Sequence, residues 1–249
     1  QMAGRRTSVT AQIKSTARRF SAALVPQLTK LDAISSLQSV TVVRIAIRDI
    51  HAYQTAQTQY VLHNSVHFAP LEFDVTSFGD QGQQHLLTAS LLPGEFAVHD
   101  GPRKLLSVAF NEHDDRGAPL VASVRHPVSG MRVYEISVSG IHEVCSSAGE
   151  EDERGWEVWP EPPSFFSRLF YSCGCSYTRQ SWTLRRLGAR IARIAPERSF
   201  FEENAMQVCW TTDAPSETRI LAVCLGLVQL IREGYPAMMH ILREFGCRY

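Results

Sequence analysis

The chain has 249 residues, of which 44% are hydrophobic and 20% are charged. This composition is that of a globular protein with one large domain or two small ones. Lys plus Arg and Asp plus Glu both number 25, so the formal net charge is zero, whereas a dedicated nucleic-acid binder is usually basic. The six cysteines do not form the pattern of a disulfide framework, and Cys173 and Cys175 are too close for a zinc knuckle.

The first 31 residues carry six basic side chains and no acidic one. Apolar residues recur among them at helical spacing, and an amphipathic, Arg- and Ser-rich, acid-free segment is typical of a mitochondrial or plastid transit peptide. The alternative is a solvated basic tail or a tag remnant. We expect residues 1–38 to be a retained extension that docks on other subunits of a large assembly, with contact to RNA left open. The predicted docking residues are Arg5, Arg6, Val9, Ile13, Arg18, Arg19, Phe20 and Leu24.

Short β-type runs alternate with turn signals over residues 40–211. The clearest hairpin lies at 94–112, where two apolar runs flank Asp100-Gly101, a strong turn signal. Such a repetition predicts an antiparallel sheet. The other predicted segments are a strand at 39–50, a hairpin at 59–75 that turns at Asn64 and Ser65, hairpins that break at Gly140 and Gly188, and a strand at 205–212.

An aromatic-rich segment, 156–171, follows an acidic loop at 149–155 that we expect to be solvated. Its three prolines predict a long irregular connection. The aromatic side chains either fold over the mouth of a barrel or anchor in a partner or a lipid interface. They are Trp156, Trp159, Phe165, Phe166, Phe170 and Tyr171.

The stretch 213–233, DAPSETRILAVCLGLVQLIRE, predicts a helix without a polar face. Asp213 is placed to cap it, and Pro215 suits the first turn. Its apolar run is about twelve residues, shorter than the roughly twenty of a bilayer span, so we expect no transmembrane helix. A helix that is apolar on all sides is buried inside a protein.

These elements together predict the fold class. An antiparallel sheet manages its edges best by closing, and the interior of a closed barrel must be filled. We therefore predict a mainly β (α+β) protein, in which residues 39–235 form a closed antiparallel β-barrel around a central hydrophobic helix at 214–233. A short amphipathic helix at 236–249 follows. The predicted core residues of the central helix are Ile220, Leu221, Val223, Cys224, Leu225, Leu227, Val228 and Ile231.

Residues 181–235, SWTLRRLGARIARIAPERSFFEENAMQVCWTTDAPSETRILAVCLGLVQLIREGY, carry a resemblance to a known family. Their order of strand, turn, strand, acidic-aromatic loop, strand and apolar helix resembles the phospholipid scramblase-like branch of the tubby C-terminal fold. The resemblance implies a twelve-stranded barrel that encloses a hydrophobic helix. It also maps the family's calcium segment onto Glu202, Glu203 and Asn204, which are weak candidates because the family's aspartate spacing is not kept.

No catalytic signature is present in the sequence. His63 and His67 have a spacing that zinc ligands use on a helix, but in a hairpin they would not share a face. His142, Glu143 and Cys145 are interpreted as a strand end rather than a thiol site. We therefore expect no catalytic residue, no cofactor and no tight metal site.

Two functions remain open after these interpretations. The first is a non-catalytic accessory or structural subunit of a large mitochondrial assembly, such as a respiratory or ATP synthase complex or the mitoribosome, on the matrix side or at the inner membrane. The second is a scramblase-like protein that binds or translocates lipid at a membrane surface, with lipid contact through 156–171.

Overall fold

The computed structural model describes residues 30–79, 82–110, 113, 120–144, 155–197 and 204–248. Twelve antiparallel strands form one closed barrel in which neighbours in sequence are neighbours in space, and β1 pairs with β12 to close it. The predicted closed antiparallel barrel is confirmed. Its strands are β1 (Val42–Ile47), β2 (Leu71–Gly79), β3 (Gly82–Leu92), β4 (Glu95–Asp100), β5 (Arg103–Phe110), β6 (Ala122–Arg125), β7 (Arg132–Ile136), β8 (Gly140–Glu143), β9 (Trp156–Glu161), β10 (Ser181–Arg186), β11 (Ala189–Pro196) and β12 (Ala205–Trp210).

Several predicted hairpins are confirmed by this order. The turn between β4 and β5 contains Gly101, whose φ is 55°. The turn between β10 and β11 consists of Leu187 and Gly188, with φ values of 51° and 76°. Two successive left-handed residues are the signature of a two-residue hairpin turn that follows the strand twist. The predicted break at Gly140 is also a turn, although Gly140 itself begins β8.

The predicted hairpin at 59–75 is wrong. A helix, α1 (Ile50–His63), occupies the first part of this range, and β2 begins only at Leu71. The Asp49 side chain caps α1 by accepting from the backbone N–H of His51 at 2.8 Å. Asn64 ends the helix in the left-handed conformation. Helical periodicity is hard to recognise here because only Ala56 of α1 is buried.

The predicted irregular connection at 156–171 is also wrong. Its first part is β9, in which Trp156 and Val158 are buried on the inner face. Its second part is a helix, α2 (Phe165–Ser172), whose Ser164 side chain accepts from the backbone N–H of Ser167 at 3.1 Å. Pro160 is part of β9, whereas Pro162 and Pro163 lie in the short connection between β9 and α2. The irregular structure expected from the three prolines is therefore limited to this connection.

The central helix, α3 (Ser216–Gln229), is buried from Thr218 to its end. Leu225 and Leu227, which lie on different sides of α3, are 1% and 0% exposed. The helix continues as a turn of π-helix at Leu230–Gly234. All eight predicted core residues of this segment are buried, as expected: Ile220, Leu221, Val223, Cys224, Leu225, Leu227, Val228 and Ile231.

Strands on several sides of the barrel contact α3. A side chain at Gly226 would meet Val208 of β12 and Ile45 of β1 at less than the normal contact distance. Elsewhere on the helix, Ile220, Val223 and Cys224 face a small apolar space. Leu87, Val98 and Leu106 of β3, β4 and β5 also line this space, together with Ile34 and Leu37.

The start of α3 is fixed by polar contacts. Pro215 occupies the capping position and makes no side-chain cap, so the prediction that Asp213 caps the helix is wrong. Instead Trp156 Nε1 donates to Thr218 Oγ1 at 3.1 Å, and the Tyr134 hydroxyl donates to the Glu217 carboxylate. Buried Arg219 donates to the carbonyls of Leu37, Gln38, Thr212 and Ala214.

The antiparallel order gives the barrel two different ends. At the upper end α3 begins, and the β6–β7 and β10–β11 turns lie there. At the lower end α3 leaves the barrel, and α1 and α2 follow the last residues of β1 and β9. The second predicted helix is present as α4 (Pro236–Arg248). It contacts α1 there through a hydrogen bond of 2.6 Å from the Tyr60 hydroxyl to Glu244.

Candidate functional site

An exposed apolar helix face is the most distinctive surface among the described residues. Phe165, Phe166 and Leu169 of α2 are 75%, 61% and 50% exposed, and no residue of this helix is buried. At 100° per residue, these three side chains lie on one face of the helix, and Phe170 lies at the edge of that face nearest the barrel. Ser167 and Phe170 are the α2 residues that line the space next to the barrel. We call Phe165, Phe166 and Leu169 the apolar face of α2.

A cleft of about 310 Å³ lies between α2 and the outer surface of the barrel. Ser176 and Thr178, in the chain that leads from α2 to β10, contribute hydroxyl groups to its wall. The outward side chains of β10 to β12, among them Ser181, Arg193 and Gln207, contribute the opposite wall. Polar and apolar side chains both line the cleft, which separates this part of α2 from the sheet, and the apolar face of the helix is left exposed.

Ion pairs order the barrel wall beside this cleft. Glu161 accepts from Arg193 Nε at 2.9 Å and from Thr183 Oγ1 at 2.5 Å. Burial alone would raise the pKa of Glu161, but the hydrogen bonds from Thr183 and Arg193 outweigh it and hold this pKa below its ordinary value. Arg44 Nε binds Glu197 at 2.5 Å on the next part of the wall.

The sequence segment 156–196, which includes α2, carries an excess of positive charge. Residues 156–196 contain six arginines and two glutamates. Arg168 on α2 and Arg179 just after it are exposed, and the Arg190 side chain is 56% exposed. Arg185 lies 5.2 Å from the centroid of the exposed Trp159 ring, a geometry that favours a cation–π interaction. Arg168 and Arg179 thus lie close in sequence to the apolar face of α2, whereas Arg185 and Arg190 flank the β10–β11 turn at the upper end of the barrel.

The residues considered for catalysis and zinc binding do not form a cluster. His63 is the last residue of α1, while His67 lies beyond the left-handed Asn64, and both side chains are exposed. His142 and Glu143 end strand β8, as predicted, and Cys145 lies outside the described residues. Within the described ranges, no group of three or more His, Cys, Asp or Glu side chains is arranged to hold a metal ion.

Of the three residues considered as calcium ligands, the structure describes only Asn204. Glu202 and Glu203 lie outside the described residues, whereas Asn204 immediately precedes β12. Asn204 Nδ2 donates to the carbonyl of Gly234 at 2.7 Å, and the Asn204 carbonyl accepts from the Tyr235 hydroxyl at 3.2 Å. Asn204 therefore connects the start of β12 to the chain that leaves α3.

The predicted docking residues of the N-terminal extension also lie outside the described part of the chain. Where the extension is described, it contacts the barrel, because Ile34 and Leu37 are buried against the core. The predicted docking residues concerned are Arg5, Arg6, Val9, Ile13, Arg18, Arg19, Phe20 and Leu24.

In the described residues, no single helix is both long and apolar enough to cross a membrane. Ser216–Gly234 and Pro236–Glu244 meet the length and composition criteria only together, as a pair bent by 100°. The first member of this pair contains α3, which is enclosed by the barrel.

Sequence reasoning found the aromatic residues of this surface but missed its arginines. The overall charge of zero concealed a local excess, because the acidic loop at 149–155 directly precedes the arginine-rich strands. A charge count restricted to 165–180 would have indicated the basic character near α2, because Arg168 and Arg179 are the only charged residues there. The helical form of α2 was missed because two prolines precede it.

Comparison with known proteins returned no match to a family model, to a curated protein or to a solved structure.

Proposed function

We propose that this chain is a non-catalytic β-barrel protein that binds an anionic membrane surface through the apolar face of α2. The exposure of Phe165, Phe166 and Leu169 on one side of a short helix is the observation that carries the proposal. An exposed apolar group of this kind, surrounded by polar residues, marks an interaction surface. The barrel and its enclosed helix then act as a rigid support for α2.

The charges beside α2 favour a lipid surface with negative headgroups as the partner. Interfacial helices bury Phe, Leu and Trp at the boundary of the acyl chains while Arg side chains contact anionic headgroups. Each Arg near such a surface contributes about 1 kcal/mol, and full burial of one Phe or Leu side chain contributes about 1.5–3 kcal/mol. Arg168 on α2 and Arg179 just after it, both exposed, provide the charge complementarity.

The two functions expected from the sequence fit this proposal differently. Contact with lipid agrees with the resemblance of residues 181–235 to the scramblase-like family, and the proposal includes binding but no translocation of lipid. The accessory-subunit function in a mitochondrial assembly depends on residues 1–31 and stays a prediction, since residues 1–29 lie outside the described part.

Co-sedimentation with lipid vesicles tests the proposal. The protein is mixed with vesicles of phosphatidylcholine, or with vesicles that also contain phosphatidylserine, and the bound fraction is measured after centrifugation. We expect binding to the anionic vesicles only, and weaker binding at higher salt because the charges are screened. The triple variant F165S/F166S/L169S should lose this binding.

Val128→Ser is the matched control for the triple variant. Val128 is 83% exposed but belongs to the β6–β7 turn at the upper end of the barrel, so its replacement should leave vesicle binding unchanged. Equal binding of the triple variant and the unmodified protein would refute the proposal. The proposal would also be refuted if the protein did not bind vesicles but migrated in a large protein complex from which the triple variant was absent. That result would favour the accessory-subunit function.

A further inference from the structure

Two cysteines immediately after α2 form a thiol pair. The Sγ atoms of Cys173 and Cys175 lie 2.9 Å apart. Cys173 is exposed, whereas Cys175 is buried. The pair is therefore asymmetric, with one sulfur accessible to reagents in solution and a second sulfur directly behind it.

The backbone at the end of α2 creates this arrangement. The N–H of Cys173 donates to the Leu169 carbonyl at 3.0 Å, and the N–H of Cys175 donates to the Phe170 carbonyl at 2.8 Å. Between them Gly174 adopts a left-handed conformation with φ of 76°, which glycine adopts without the steric cost of a side chain. The chain reverses at Gly174, and the two cysteine side chains converge.

The two thiols differ in their readiness to ionise. Either sulfur can donate in the hydrogen bond between Cys173 and Cys175, and this hydrogen bond lowers the pKa of Cys173. Burial, with the adjacent Cys173 sulfur, raises the pKa of Cys175. Among the other described cysteines, burial raises the pKa of Cys209, and complete burial raises that of Cys224 to about 12. Cys173 is thus better placed than Cys175, Cys209 or Cys224 to react as a thiolate.

We propose that Cys173 and Cys175 form a reversible dithiol–disulfide site that reacts with small-molecule disulfides. The Cys173 thiolate attacks one sulfur of the reagent, forming a mixed disulfide and releasing one thiolate. Cys175 then gives up its proton and attacks the Cys173 sulfur, which releases the second thiol. The protein loses two electrons and two thiol hydrogens, while the reagent is reduced to two thiols. This chemistry does not depend on the proposed lipid binding.

Peptide mapping after treatment with glutathione disulfide tests the site. The full chain is incubated with this probe, remaining thiols are alkylated, and the protein is digested with trypsin without reduction. Both cysteines fall in the tryptic peptide from Leu169 to Arg179. We expect this peptide to carry no alkyl group and to be two hydrogen atoms lighter than the unalkylated dithiol peptide. When dithiothreitol is added before alkylation, the peptide should instead carry an alkyl group on each cysteine.

Three variants identify the role of each sulfur. Cys175→Ser should leave glutathione attached to Cys173, because the second thiol that would release it is gone. Cys173→Ser should leave Cys175 largely unmodified over the same time. Cys209→Ser is the matched control, because Cys209 is half-buried on β12, and its peptide map at 169–179 should equal that of the unmodified protein.

Other results would overturn the inference. One is a Leu169–Arg179 peptide that is alkylated at both cysteines after treatment. Another is a lasting glutathione adduct on the protein without substitutions, and a third is a disulfide from this peptide to another cysteine. The treatment of the unmodified protein decides between these outcomes even where a variant fails to fold. Gly174→Ala adds a direct test of the turn, because no atom lies within 4 Å of the added methyl group. The disulfide should close more slowly in that variant, since only the backbone conformation is disfavoured.

Discussion

At the scale of single residues, close approach decides how the barrel and its helix fit together. Gly226 faces the sheet, and a methyl group there would come within 2.7 Å of a Val208 methyl carbon and 2.9 Å of the end of Ile45. A glycine inside a helix costs about 1 kcal/mol relative to alanine. The cost is offset because β1 and β12 approach α3 closely at this point.

Glu161 provides a prediction about pH. Its carboxylate is the only partner that the structure gives to Arg193 Nε among the described residues. The ionised Glu161 carboxylate contributes fully to the free energy of unfolding above the ordinary glutamate pKa of about 4.3. This contribution is lost as the pH falls through the pKa that Glu161 has in the folded protein, which is lower than the ordinary value. Glu161→Gln should reduce stability near neutral pH by about 1 kcal/mol, after allowance for solvent screening, and should weaken the decline below pH 4.3.

Urea unfolding at several pH values measures this effect. Glu157→Gln is the matched control, because Glu157 belongs to the same strand but is exposed and accepts from Trp159 Nε1 rather than from an arginine. A larger acid dependence in Glu161→Gln than in the unmodified protein would contradict the assigned direction of the pKa shift.

At the scale of secondary-structure elements, α2 and α3 are opposite kinds of helix. Every residue of α3 from Thr218 to Gln229 is buried, whereas α2 has no buried residue. The burial of its apolar side chains stabilises a core helix, whereas a helix that binds a partner keeps its apolar side chains exposed.

Replacement of the apolar face of α2 should therefore affect binding but not folding. Each of Phe165→Ser, Phe166→Ser and Leu169→Ser is expected to change the free energy of unfolding by no more than about 0.5 kcal/mol, as is usual at exposed positions. Leu225→Ala in α3 is the contrasting variant, with an expected loss of about 2–5 kcal/mol. Chemical denaturation measures both, and a loss above about 2 kcal/mol in an α2 variant would show that this face is buried.

The sequence predicted some elements well because their signals are local. The β4–β5 and β10–β11 hairpins have turn residues that specify the reversal, and α3 is apolar on all sides. By contrast α1 was missed because its burial is limited to Ala56, so no apolar stripe indicates a helix. The cleft was not predictable either, since its wall combines residues of α2 with side chains from β10 to β12.

At the scale of the whole molecule, the closed barrel encloses a core, and its two ends carry different elements. The upper end holds the start of α3 through Thr218, Glu217 and Arg219. The lower end receives the chain from α3 and presents the apolar face of α2, while α1 and α4 contact each other there. Among the twelve described barrel strands, closure leaves no free edge for pairing with another chain.

Hydrogen–deuterium exchange with and without anionic vesicles tests the account most directly, because it reports α2 and α3 in one measurement. In the free protein, the amides of α3 should exchange slowest and those of α2 rapidly, since one helix is enclosed and the other is exposed. On addition of phosphatidylserine-containing vesicles, we predict slower exchange within 165–172 and no change within 216–229. Unchanged exchange in α2, or faster exchange in α3 as if that helix left the barrel to enter the lipid, would contradict the account.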